Sequence, residues 1–196
     1  MLEVGVDEAG RGCLFGRVYA GAVIWNPEIT HPLLRDSKKL TKKQRDDMYD
    51  FIFDNAIDFA VGFSTASEID SLNILKASHL AMHRALDALT LEFDHILVDG
   101  NMFAPYNCMT HECIVGGDGK YESISAASIL AKVSRDRWVC DAVTKDPTLS
   151  KYSLESNKGY CTASHILAIE EHGRSKQHRT SFKIPSEKSN NIILYQ

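Results

Sequence analysis

The sequence predicts an α/β protein with a central mixed sheet of about five strands flanked by helices. Two observations carry this. Short β-branched or aromatic runs cluster early in the chain, and stretches with helical spacing of apolar residues grow denser late. That order is not the strand-helix alternation of a doubly wound repeat, and no internal repeat or low-complexity segment appears.

The strands fall at residues 2–7, 17–25, 59–64, 95–99 and 112–115, each bounded by Gly, Pro, Ser or Asp or ending at the apolar run. His95 to Asp99 reads as a short buried strand. Thr41 is an N-cap for a helix over 42–55, in which Met48, Phe51 and Ile52 share a face. A second helix covers 74–88 with Leu75, Met82 and Ala85 near one side. A third covers 124–143 and opens on Ser125-Ala126-Ala127-Ser128, small residues that let a helix backbone lie close to its neighbour. Ser164 is expected to cap a helix over 166–172, and Pro185 to open a last short one.

The chain has 196 residues, 44% hydrophobic and 24% charged, enough for one domain with its own core. Its 22 basic against 26 acidic side chains leave a net charge of −4, which excludes a uniformly basic nucleic-acid binder. The charge is segregated, however: residues 1–150 carry −7 and residues 151–196 carry +3. Five of the eight residues from Lys38 to Arg45 are basic. The odd count of five cysteines at irregular spacing reads as reduced thiols of a cytoplasmic protein. Apolar runs fall well short of the roughly 18 residues a membrane span requires, and strand-like residues begin directly after Met1, leaving no room for a signal peptide.

The chemistry is expected where acids close apolar strands. Asp7 and Glu8 run into Ala9-Gly10-Arg11-Gly12, and Asp99 closes Leu97-Val98-Asp99-Gly100. If the two strands are neighbours, three carboxylates converge, and Asp118 in Gly116-Gly117-Asp118-Gly119 supplies a fourth. Such a cluster repels itself unless divalent cations neutralise it, and all-oxygen donors suit Mg²⁺. Two such ions activate water and stabilise the leaving oxygen of a displacement at phosphorus, with no nucleophilic side chain needed. No Gly-x-Ser-x-Gly elbow is present. Gly116–Lys120 fails the phosphate-loop pattern, since Ile114 stands where its first glycine belongs and Tyr121 follows the lysine. Cys108, His111 and Cys113 match no common zinc spacing and lack a fourth partner.

These residues sit in ordered blocks. Val4 to Gly12, Asp36-Ser37-Lys38-Lys39-Leu40, Glu68 to Leu75, Val98 to Asn101, Gly117-Asp118, Ser125 to Arg137 and Lys158-Gly159-Tyr160 together resemble ribonuclease HII, the bacterial type 2 ribonuclease H, from residue 4 to about 182. The resemblance implies a ribonuclease H-like fold with a five-stranded mixed sheet and a helical C-terminal extension from about residue 160 that contributes to substrate binding. It implies an endonuclease that cuts the RNA strand of RNA/DNA hybrids and duplex DNA at embedded ribonucleotides, leaving 3′-hydroxyl and 5′-phosphate ends. Asp7, Glu8, Asp99 and Asp118 become the catalytic, metal-binding tetrad, holding two Mg²⁺ or Mn²⁺ ions. Gly10, Arg11 and Gly12 read the ribose 2′-hydroxyl through the backbone while Tyr160 stacks on the next sugar. Ser37, Lys38 and Lys39 hold phosphates. Nothing in the sequence suggests an obligate partner, so a monomer is expected; the short apolar runs point to no membrane contact, and contact with a sliding clamp is left open.

The chain departs from the family at prolines: Cys13, Arg17, Cys161, Arg174 and Lys176 stand where the family has Pro. Fixed φ angles are lost there, which is expected to loosen the substrate turns, although Arg17 and Arg174 add charge. Lys132, Arg135 and Arg137 follow the small-residue run, with Arg135 and Asp136 read as surface groups. Asp136 is left outside the metal set. A DNA-cleaving two-metal nuclease on the same fold is the second reading, and a catalytically idle hybrid-binding module the third.

Overall fold

A computed structural model of the chain describes residues 2–35 and 40–189. Five strands, β1 (Glu3–Ala9), β2 (Val18–Ile24), β3 (Asp58–Ser64), β4 (His95–Asp99) and β5 (Thr110–Ile114), form one sheet in the order β3-β2-β1-β4-β5. β2 lies antiparallel to β1 and β3, whereas β4 runs parallel to β1 and to β5. The mixed five-stranded sheet expected from the sequence is therefore present.

Three long helices cover the sheet's two faces. α3 (Ile74–Asp87) packs against Val4, Val6, Ala20, Ala22, Ile24, Ile96 and Val98 through Ala77, Ala81, Met82 and Ala85. On the other face α4 (Glu122–Lys145) and α1 (Lys42–Asn55) bury Ala126, Ala127, Ile129, Leu130, Met48 and Ile52 around Val23 and Trp25. The period-two alternation of β2 separates the two cores, as strand geometry demands. The small-residue run has the predicted effect: a Cβ on Gly21 would lie 2.4 Å from the Ala127 carbonyl oxygen, so strand and helix backbones are in direct contact there.

Thr41 caps α1 as expected, its hydroxyl accepting from Gln44 in a capping box. The structure adds α2 (Ala66–Leu72), which is too short and too polar to show a helical period; its signal is another capping box, Thr65 with Glu68. α4 extends two residues beyond the expected span at each end. α6 (Ala163–His172) starts earlier than expected, because Thr162 rather than Ser164 is the N-cap and accepts from His165. The four-residue α5 (Leu154–Asn157) and α7 (Pro185–Ser189), which Pro185 opens as expected, complete the C-terminal part. A third apolar cluster joins α4 and α6 to Leu14, Phe15 and Tyr152. No helix among the described residues is long and apolar enough to cross a membrane.

Candidate active site

β1 does not stop at Asp7, as its composition suggests. It continues to Ala9 against β2, with Asp7 opposite Gly21 and Glu8 opposite Ala20. What ends there is the pairing with β4, whose last register partners are Val6 and Val98. The next residue on each strand is an acid, Asp7 and Asp99. Both share the parity of Gly5 and Leu97, which face α4. Two carboxylates are thus delivered side by side at the edge of a buried sheet.

Asp7 is only 5% exposed. Burial, then the Glu8 charge and more weakly Asp99, push its carboxyl well above the ordinary Asp range, against a hydrogen bond with the Ser128 side chain. Glu8 is also raised, first by burial and less by Asp99, while Arg11 draws it down through a 3.2 Å contact to Oε1. Desolvation, more than the repulsion invoked from sequence, is the leading cause at both acids. Asp99 Oδ1 accepts from the Gly117 N–H at 2.7 Å, docking the 3-10 turn Gly117–Gly119 and its buried Asp118 against β4. The structure thus places Asp7, Glu8 and Asp99 within electrostatic reach of one another, with Asp118 on the adjoining turn. Among the described residues no three Asp, Glu, His or Cys side chains stand arranged as a ready ligand set. The donor chemistry nevertheless fits hard divalent cations: all four side chains offer only oxygen, and a cation would offset the burial cost carried by Asp7 and Glu8.

The glycine turn lies beside this edge. Gly10 has φ +92°, and a Cβ on it would sit 2.1 Å from Arg135 Nε, so the fold itself requires glycine there. Gly12 is different: an added Cβ would meet nothing within 4 Å. Arg11 points outward beside Glu8. Tyr160, distant in sequence, is brought to the turn by a bridge pairing Cys13 with Tyr160 and by Leu14 N–H donating to Gly159 O. Its ring is 38% exposed, with the Lys132 ammonium 5.0 Å from the centroid. Glu8, Gly10, Arg45, Ser128, Lys132 and Tyr160 line a recess of about 310 Å³. Ser37, Lys38 and Lys39 lie outside the described residues.

Two residues read otherwise from sequence are buried clamps. Arg135 is fully buried, not a surface group, and donates to the carbonyls of Phe15, Arg17 and Lys158. Its neighbour Asp136 pairs with Lys132 at 2.8 Å instead. Arg179, to which the sequence assigned no role, is also fully buried and donates to the carbonyls of Gly10, Arg11, Gly16 and Arg17. Neither guanidinium shows a sequence period, because its partners are main-chain oxygens, most of them in a loop more than a hundred residues away. The only signal was that Arg135 falls inside the Ser125 to Arg137 block that resembles the family.

The lost prolines are compensated at two positions. Arg17 stacks on Phe63 and Trp138, 3.9 and 4.9 Å from their centroids, instead of adding free charge. Arg174 donates to the carbonyls of Arg179 and Phe182 and pairs with Glu187 at 2.9 Å. Ring stacking at Arg17 and hydrogen bonds at Arg174 hold these segments where a pyrrolidine ring would otherwise fix φ, and part of the positive charge of the C-terminal quarter is internal rather than facing a phosphate chain.

A β3-β2-β1-β4-β5 sheet whose central strands end in carboxylates on one face defines the class of ribonuclease H-like nucleases, and solved structures agree with that class. The crystal structure of ribonuclease H2 from Pyrococcus horikoshii superposes with a TM-score of 0.73 at 26% identity, covering 93% of this chain and 94% of that one. The ribonuclease HII of Archaeoglobus fulgidus, solved in complex with PCNA, gives 0.78 at 21% identity over 94% and 96%. The sequence profile described as Ribonuclease HII matches residues 4–184. A ribonuclease HII from Phocaeicola vulgatus is 48% identical over 184 residues, 94% of this chain and 90% of the relative, and one from Christiangramia forsetii 51% over 180, or 92% and 89%. The chain belongs to the ribonuclease HII family. It is a metal-dependent endoribonuclease.

Proposed function

We propose that this chain hydrolyses the RNA strand of RNA/DNA hybrids and cuts duplex DNA at single embedded ribonucleotides, with Asp7, Glu8, Asp99 and Asp118 holding two Mg²⁺ or Mn²⁺ ions. The observation that carries the reading is the meeting of three separate segments at one edge: residues 7–12 with the β1 acids and the glycine turn, Asp99 at the end of β4, and Tyr160. When bound, the divalent ions supply Lewis-acid activation of a water and stabilisation of the leaving oxygen, so that 3′-hydroxyl and 5′-phosphate ends result.

The chain's own residues do the rest. Ser128 and the Glu8 N–H hydrogen-bond the Asp7 carboxylate and set its orientation. The Asp99 bond to Gly117 keeps Asp118 close to the β4 end. Open space at Gly12 lets a ribose come against the main chain, where the 2′-hydroxyl meets backbone groups that a deoxyribose cannot engage. Tyr160 offers a flat ring to the adjoining sugar beside Lys132, whose charge complements a phosphate. Residues beyond about 160 contribute to substrate binding by holding Tyr160 and the turn.

The test is cleavage of three duplexes, a hybrid, a DNA duplex with one ribonucleotide and all-DNA, with and without Mg²⁺ or Mn²⁺, with the cut mapped. Metal-dependent cutting of the first two alone is expected. Cutting of all-DNA, or binding without cutting, would overturn the reading in favour of a DNA nuclease or an idle binding module.

A further inference from the structure

Behind Tyr160, outside the acidic cluster and the glycine turn, lies a buried pair of histidines. His165 is fully buried and His178 is 2% exposed, with their Nε2 atoms 3.0 Å apart. Their outer partners determine the tautomers. Ser175 N–H donates to His178 Nδ1 at 2.9 Å, so that nitrogen carries no proton and Nε2 carries it. At the other end His165 Nδ1 lies 2.9 Å from the Tyr160 carbonyl oxygen, which only accepts, so Nδ1 is the protonated nitrogen of His165. His165 Nε2 is then free to accept from His178 Nε2–H. Every bond in the relay from Ser175 through both rings to Tyr160 is satisfied with both histidines neutral.

The relay is continuous with the clamp on the glycine turn. His178 forms a bridge with Phe15, and the next residue, Arg179, grips the carbonyls of Gly10 and Arg11. Two adjacent residues thus hold the two halves of the sugar-facing apparatus, Tyr160 through His165 and the glycine turn through Arg179.

We propose that His165 and His178 are positioning residues that set the place of Tyr160 against the Gly10–Gly12 turn, and that recognition of an isolated ribonucleotide depends on them. This rests on the reading of Tyr160 as the sugar-stacking residue. A long hybrid presents many equivalent riboses and tolerates a displaced ring; a single ribonucleotide presents one.

The experiment compares His165→Leu, His165→Asn, Tyr160→Ala and the double variant His165→Leu/Tyr160→Ala. Loss of one buried hydrogen bond predicts a rise of about tenfold in KM for the single-ribonucleotide duplex in His165→Leu, with kcat and hybrid cleavage changed much less. His165→Asn, which keeps a donor near the Nδ1 position, recovers most of it. The double variant is no worse than Tyr160→Ala alone, because His165 acts through the tyrosine. Multiplicative losses in the double variant would overturn the proposal. Should His165→Leu not fold, His178→Phe keeps the ring against Phe15 and Tyr152, removes the donor to His165, and gives a smaller change in the same direction. Hydrogen exchange needs no substrate: amides of residues 158–162 exchange faster in His165→Leu, and unchanged exchange there would overturn the tether. A wild-type protein inactive on the single-ribonucleotide duplex would instead remove the substrate reading, while the exchange comparison still decides the tether.

Discussion

At residue scale, Asp7 carries opposite costs for folding and function. Its folded-state carboxyl is raised above the ordinary value of 3.8. In the metal-free protein its ionisation therefore opposes folding increasingly as pH rises above 3.8 towards the raised value, and is without effect below it. Asp7→Asn is expected to abolish Mg²⁺-dependent cleavage yet raise the Tm of metal-free protein at neutral pH, on the scale of about 2–4 °C for each kcal/mol relieved. Near wild-type turnover would remove Asp7 from the metal set. The two glycines make a matched pair of variants. Gly10→Ala sets a Cβ into Arg135 at positive φ, a strain of about 1–3 kcal/mol or more. Gly12→Ala meets open space, so its Tm is expected to stay put while cleavage falls as the ribose is held off. Equal Tm losses would show that both glycines serve only the fold.

At the scale of elements, the least legible parts are those joined by main-chain acceptors. The block from Glu68 to Asn73 shows this. Glu68 closes the capping box of α2 and binds Arg84, Asp70 accepts from Thr180 and Ser181 N–H at 2.9 Å, and Asn73 caps α3 at φ +70°. All three are scaffold: Glu68 and Asn73 fix α2 and α3 against each other, and Asp70 ties α2 to the segment that carries His178 and Arg179. That segment makes acid stability a readout. Burial, then the His165 charge and Arg174, lowers His178 from the usual 6.5 to about 3. The unfolded chain takes up the proton first, so this stability is complete above pH 6.5 and lost as pH falls towards 3. Facing the pair are Arg174, paired with Glu187, the Tyr152 ring, which His172 also meets, and Arg179; apart from Glu187, none supplies an anion to hold a second proton. Unfolding free energy is expected to drop by up to about 1.4 kcal/mol per pH unit below 6.5 from this group. The gap between wild type and His178→Phe should narrow from pH 7 to pH 5; a constant gap would mean the pair titrates normally.

For the whole molecule, net charge is the wrong guide to a polyanionic substrate. Arg135 and Arg179 are inside the protein, whereas Lys42, Arg45, Arg137 and Lys158 line a groove of about 330 Å³ on α1 and α4 near Tyr160. Asp46, Asp136 and Asp141 interleave with them, so local charge is moderate. Lys42→Ala is expected to weaken duplex binding at low salt and reduce the slope of log K against log salt by about 0.9, one phosphate contact. An unchanged slope would place the duplex elsewhere.

The sequence by itself determined the five strands, the long helices and the acids at strand ends, because alternation, helical period and an acid closing an apolar run are local patterns. It also displayed the blocks by which Asp7, Glu8, Asp99, Asp118 and Tyr160 are picked out. Only the tertiary structure decided that Asp7 and Asp99 share one face at the end of the β1–β4 pairing, that Arg135 and Arg179 are buried clamps, and that His165, backed by His178, reaches the Tyr160 carbonyl. Those depend on strand order and on hydrogen bonds to distant backbone oxygens. Every residue carries the same carbonyl, so side-chain identity along the chain does not record which one a buried arginine or histidine will find.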